Sequence, residues 1–304
     1  MLLFCGIISL KTATMKEQLM KDFKVFLQMR NYAPTTIKSY LNVLRQYWIF
    51  CEHQPLCNPD FCKDNAPIFW FKHLTQKHGA GTVYNQNYSS LKLFYIYILK
   101  RDWSVHGILR PRRVRYYPEI MSKEDVDDLL MHTPNVKHKA IFLSLYATGL
   151  RISELSNLKI DDINSQTMTL RVRSGKGRKD RFIPIKQPFL DLLQQYIGLY
   201  EPKTFLFNGD KRGEPLTTRA MQNAFQLAKQ RANLNPKITP HTLRHAFATH
   251  HIDEGTHLPA VKSMLGHTNI KTTARYIHMS VQSLHQFNNP ADALCKKHFQ
   301  KYIT

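Results

Sequence analysis

Acidic side chains are scarce in this chain of 304 residues: 22 Asp and Glu stand against 43 Lys and Arg, a formal charge of +21 at pH 7. A protein this basic repels itself unless a polyanion or an acidic surface neutralises it. Nucleic acid is therefore the first partner to consider, and an anionic membrane face the second. Glycine and proline are few, at 12 and 15, which excludes a collagen-like chain. There is no internal repeat and no low-complexity tract. With 43% hydrophobic residues a packed core is within reach, which excludes wholesale disorder. No run approaches the roughly 18 apolar residues of a membrane span, so no membrane insertion is expected.

Cysteine is scarce as well. The five are odd in number and scattered, which fits a reducing cytoplasm better than a disulfide framework. Cys51, His53, Cys57 and Cys62 crowd together, but their spacings match neither paired C-x2-C arms nor a zinc finger. Buried thiols are the better reading, and no metal or cofactor is expected. At the start, MLLFCGIISL has no basic residue before its apolar stretch and no clear cleavage site, unlike a secretory signal. Met15 opens a more ordinary beginning, so residues 1–14 are read as a disordered or start-site extension.

The clearest break is Leu109 to Pro118, rich in Arg and without hydrophobic periodicity, which reads as an exposed basic linker. Residues 1–116 hold 17 basic and 6 acidic residues, and residues 117–304 hold 26 and 16. Both sides are basic, as two parts closing around a polyanion would need. The first part is helical. Pro34-Thr35-Thr36 starts a helix carrying Ile37, Leu41, Leu44 and Trp48, and Asn85 to Leu99 places Tyr88, Leu91, Phe94, Tyr95 and Ile98 on one side. In the second part, Ser122 to Asp125 is a helix start, residues 138–148 form an apolar helix ended by Gly149, and Ile152 to Leu158 resume helix. Alternating Met168, Leu170 and Val172, a polar turn, then Phe182, Ile183 and Ile185 predict a β-hairpin with Lys176 in or near its turn. Helix returns from Thr217, through Ala220, Phe225 and Leu227, then from Thr239-Pro240, and again from Pro259 until Gly266.

Four separated pieces carry the chemistry: TGLRISEL at 148–155, GKGRKDR at 175–181, HTLRH at 241–245, and LGH at 265–267 followed by TTARY at 272–276. His241 and Arg244, three apart, share a helix face. Arg151 sits at a break between helices, where its guanidinium can reach a ligand. Two guanidiniums can hold the non-bridging oxygens of one phosphate, and a turn lysine is a mobile ammonium able to give a proton. Such groups suit the negative charge that builds on phosphorus during displacement. No Asp/Glu cluster of the kind that binds Mg²⁺ accompanies them, which favours metal-free chemistry. Each residue also has an ordinary reading: a surface Arg, a helix-start His, a loop His, a solvated Lys, one Tyr among 14. Residue by residue, the sequence supports a phosphate-handling protein without choosing a nucleophile.

Together and in this order, the four pieces resemble the tyrosine recombinase (phage integrase) family over residues about 120–280. The helical part ahead of them resembles that family's core-binding domain. The resemblance implies a mainly α fold with a small β-sheet (α+β). It divides the chain into a helical, SAM-like DNA-binding domain at 15–108, the linker at 109–118, a catalytic domain at 119–280, and a C-terminal segment at 281–304 that packs in place or docks on a neighbouring protomer. It also implies Arg151, Lys176, His241, Arg244 and His267 as the active-site set, Tyr276 as the nucleophile, and Glu154 as an orienter beside the first Arg. Lys176 would protonate the leaving 5′-oxygen, and His241 would take the Tyr276 proton. DNA contacts are expected from Arg110, Arg112, Arg113, Arg115, Arg178 and Lys179. The implied partners are double-stranded recombination sites, further copies of the chain up to a tetramer, and an accessory directionality factor. Exchange would run through a 3′-phosphotyrosyl link and a Holliday junction without metal or ATP, in the cytoplasm at the nucleoid. A DNA-binding protein without chemistry, a relaxing topoisomerase and a metal-dependent nuclease are the alternatives.

Overall fold

The computed structural model describes residues 2–53, 65–79, 81–104, 107–111, 119–173, 180–209 and 213–267, with side chains from residue 14 onward. The chain divides into two compact units, Met1–Arg115 and Tyr116–Thr304. Among the described residues no helix is long and apolar enough to cross a membrane.

The first unit contains α1 (Leu2–Met29), α2 (Pro34–Glu52), α3 (Ala66–His78) and α4 (Thr82–Leu93), the last running on as a π-helical turn at Phe94–Ile98. Pro34 sits in the first turn of α2, where its missing N–H costs nothing. α1 begins at Leu2, so helix replaces the disordered extension expected over 1–14. Its opening residues include the helix formers Leu2, Leu3, Leu10, Lys11 and Ala13, and no proline interrupts them before Pro34. The core is aromatic: Phe23, Tyr47, Phe94 and Tyr95 are wholly buried, with Trp48, Trp70 and Trp103 close behind. Buried polar groups need partners, and here they find neutral ones. The Tyr47 and Tyr95 hydroxyls meet at 2.8 Å, and the Trp70 indole N–H donates to Asn87 Oδ1 at 3.0 Å. Cys51 is buried in this core and the His53 ring sits on the Ile49 carbonyl, while Cys57 and Cys62 lie outside the described residues.

The second unit has α5 (Lys123–Met131), α6 (Val136–Thr148), α7 (Ile152–Ser156), β1 (Ile163–Asn164), β2 (Thr169–Val172), β3 (Arg181–Pro184), α8 (Gln187–Tyr200), α9 (Thr218–Arg231), α10 (Pro240–Asp253) and α11 (Leu258–Leu265). Ser122 caps α5 reciprocally: its hydroxyl accepts from the Asp125 amide, and the Asp125 carboxylate accepts from the Ser122 amide. The apolar α6 packs against α8, α9 and α10, which places it at the centre of the core. It ends at Gly149, in the left-handed region at φ 60°, where a Cβ would stand 2.5 Å from the Phe247 ring. Only glycine satisfies both the turn and that approach.

The hairpin forms as its alternation predicts, antiparallel, with Leu170 opposite Ile183 on the buried face and Arg171 opposite Phe182 on the outer face. β1 adds a third strand beside β2; two residues are too short to show a period. α7 stops at Ser156, two residues short of the expected Leu158. In α9 the buried stripe is Met221, Ala224, Phe225 and Ala228, and Leu227 faces solvent. The fold is thus mainly helical with a small sheet.

Candidate active site

α10 carries a cation into the interior. Its entry is fixed on both sides: the Thr239 amide donates to Thr242 Oγ1 at 3.0 Å, and buried Lys229 donates to the carbonyls of Pro236 and Ile238 at 2.7 and 3.2 Å. Leu243, Ala246 and Phe247 anchor the helix in the apolar core, and Arg244 beside them is only 4% exposed. A buried guanidinium is costly unless its N–H groups are met. Arg244 Nη1 donates to the Gly149 carbonyl, and Nη2 donates to the Leu265 carbonyl at 2.7 Å and to His267 Nε2 at 3.1 Å. Arginine has no acceptor, so this contact is a hydrogen bond when His267 Nε2 is the unprotonated nitrogen. The turns that close α6 and α11 are thereby tied to one side chain.

Glu154 gathers the remaining charge. It stands at the third position of α7, where its carboxylate reaches back to the Arg151 amide at 2.9 Å and accepts from Arg151 Nη1 at 2.8 Å. Arg181, from β3, forks onto the same carboxylate at 3.1 and 2.7 Å, and Arg244 stands 3.9 Å away. Burial alone would raise the Glu154 pKa. The Arg181 hydrogen bonds, the Arg151 amide and the Arg181 charge outweigh it and hold the group at about 2. This carboxylate stays ionised at any working pH.

His241 lies one turn before Arg244 on α10 and opens to solvent. Partial desolvation, then the charges of Arg244 and Arg151, push its pKa below the usual imidazole value. A neutral ring at neutral pH is what a proton acceptor needs.

Of the expected site residues, the structure therefore brings together Arg151, Glu154, Arg244 and His267, with His241 within the field of both arginines. Lys176 and Tyr276 lie outside the described residues, as do Arg112, Arg113, Arg115, Arg178 and Lys179. Arg110, expected on DNA, stacks over the Tyr88 ring at 5.1 Å and donates to Ser89 Oγ at 2.6 Å within the first unit. Arg181 was quoted in the second sequence piece but given no role. Its signal was available, since it keeps the i, i+2 phase of Ile183 and Ile185 and so falls on the buried face.

Residues 119–283 match the model of the phage integrase family, and residues 19–105 match that of the phage integrase N-terminal SAM-like domain. The chain belongs to the phage integrase family. It is 33% identical over 269 residues to a putative integrase/recombinase, y4qK, of Sinorhizobium fredii, covering 88% of this chain and 86% of the relative. It is 32% identical over 298 residues to the tyrosine recombinase XerC of Staphylococcus epidermidis, covering 92% and 99%. Among solved structures, its fold is similar to the Tn1549 transposon integrase in complex with transposon right end DNA, with TM-score 0.68, 18% identity, and coverage of 94% and 99%. As a phage integrase family member of the tyrosine recombinase type, it is a site-specific recombinase that breaks and rejoins DNA.

Proposed function

We propose that Tyr276 is the nucleophile of this recombinase and that Arg151, Lys176, His241, Arg244 and His267 serve it. The phenolic oxygen attacks the scissile phosphorus while its proton passes to His241. The bond from phosphorus to the 5′-oxygen breaks, and Lys176 protonates that oxygen to leave a free 5′-hydroxyl and a 3′-phosphotyrosyl ester. The 5′-hydroxyl of a partner strand reverses the step, so the ester-bond energy is kept and neither metal nor ATP is required. Arg151 and Arg244 hold the non-bridging oxygens as charge grows on them, and His267 hydrogen-bonds one of those oxygens beside them. The observation that carries this reading is the buried Arg244, joined to Gly149, Leu265 and His267 and facing the Glu154 that also orients Arg151.

The same reading extends to the whole chain. Residues 15–108 form the core-binding domain, 109–118 the basic linker, 119–280 the catalytic domain, and 281–304 a segment that completes its own domain or a neighbour's. Two rounds of exchange through a Holliday junction within a tetramer on paired sites, aided by an accessory directionality factor, place the protein in the cytoplasm at the nucleoid.

The test uses the full chain and a pool of nicked duplexes of random sequence, from which strands that become covalently attached are recovered and sequenced. Wild type is expected to form a protein–DNA adduct that EDTA does not diminish, and the Tyr276→Phe variant to form none. Equal trapping by both would overturn the assignment.

A further inference from the structure

We infer that Arg181 is a positioning residue for DNA cleavage: it fastens the Glu154 carboxylate, and through it Arg151, to the last turn of α11 that presents His267. The inference rests on the proposed function and extends it to a side chain that acts through Glu154 rather than on phosphate.

Strand phase explains why the residue is where it is. Val172 of β2 pairs with Arg181 of β3, and both sit on the inner face with Leu170 and Ile183. The Arg181 side chain is 10% exposed, and a cation there is costly unless its donors are all used. Its donors reach two other elements. Nη1 and Nη2 fork onto the two Glu154 oxygens at 3.1 and 2.7 Å, and Nε donates to the Met264 carbonyl of α11 at 2.8 Å. The remaining contacts of Glu154 go to the Arg151 amide and Nη1. The direction of the Arg151 guanidinium therefore depends on how the carboxylate is turned, and Arg181 turns it.

Gly266 gives a second, independent view of the same strut. It takes φ +63°, and a Cβ built on it would stand 3.0 Å from Arg181 Cδ and 3.1 Å from Nη1. The guanidinium thus crosses directly over the turn between Leu265, which accepts from Arg244, and His267. Arg181 joins β3, α7 and α11 at the point where the phosphate-holding groups converge. Lysine cannot replace it, because an ammonium has its donors on one nitrogen and offers neither the planar fork nor a separate Nε to reach the Met264 carbonyl.

The experiment uses a duplex recovered by the covalent selection above, with wild-type full-length protein and the Arg181→Lys and Arg181→Gln variants. Adduct formation is followed in single turnover against protein concentration. In both variants the rate at saturation is expected to fall about 10- to 100-fold, while the half-saturating concentration stays within about threefold of wild type. Should the Arg181→Gln variant fail to fold, the Arg181→Lys variant decides by the rate split alone. A wild-type saturating rate in either folded variant, or a loss confined to half-saturation, would overturn the inference. Absence of any wild-type adduct would overturn the proposed function instead.

Discussion

Among the described residues of the first unit the fully buried polar side chains are neutral: a Tyr47 hydroxyl meets Tyr95, and a Trp70 indole meets Asn87. In the second unit ionised groups go inside. Among the described residues Asp162, Lys229 and Arg244 are all buried there, and Glu154 is half-buried between three arginines. Neutral pairs hold an interior together at little cost, whereas an ionised group must recover its lost hydration from fixed partners. Two of the second unit's charges do so at least partly by serving the backbone: Lys229 takes the carbonyls ahead of α10, and Asp162 accepts the Lys159 amide as well as Arg173 Nε. Arg244 also holds carbonyls, but it does so beside Arg151 and His267, where a charge can act on a substrate. One unit therefore spends its polarity on shape, and the other on shape and a field at once.

The sharpest way to break that contrast is Arg244→Ala. Cleavage of the selected duplex is expected to fall about 10²- to 10³-fold, because the guanidinium acts on charge that appears at the reacting phosphorus. DNA affinity, measured by fluorescence anisotropy, should change by no more than about threefold. Comparable losses in both would make Arg244 an ordinary phosphate contact. Gly149→Ala comes next. Left-handed strain of about 1–2 kcal/mol adds to a collision with the Phe247 ring, for about 2–4 kcal/mol in urea unfolding. A cost below about 1 kcal/mol would mean that the turn after α6 can relax and does not fix Arg244. The smallest effect belongs to the first unit. Asn87→Ala leaves the Trp70 N–H unmet and should cost about 1–2 kcal/mol of stability, with the cleavage rate of the folded protein unchanged. A loss of cleavage beyond about threefold would show that neutral pairs, too, reach the site.

Much of this site is legible in the residues themselves, and the reasons for what is not are physical. Helix ends were readable because they are local: Ser122 caps, Gly149 and Gly266 leave the right-handed region, and Pro34 and Pro240 start helices. The hairpin was readable from period 2, and β1 was not, since two residues carry no period. The resemblance assigned Arg151, Glu154, His241, Arg244 and His267 their parts. Sequence spacing cannot show that Glu154 belongs to three arginines from three elements, because their meeting depends on tertiary packing. Lys229 carries no signal in the sequence that sets it apart from the other lysines; that it is buried on two carbonyls, only coordinates reveal.

The shared carboxylate has an electrical consequence. Three guanidiniums surround a single anion, so these four side chains keep two uncancelled positive charges. An intact phosphodiester carries one negative charge, and the five-coordinate species formed when a nucleophile adds to it carries two. On the proposed function, that surplus equals the charge of the fleeting species rather than that of resting DNA, so its attraction is greatest for a state the strand occupies only while it is being broken.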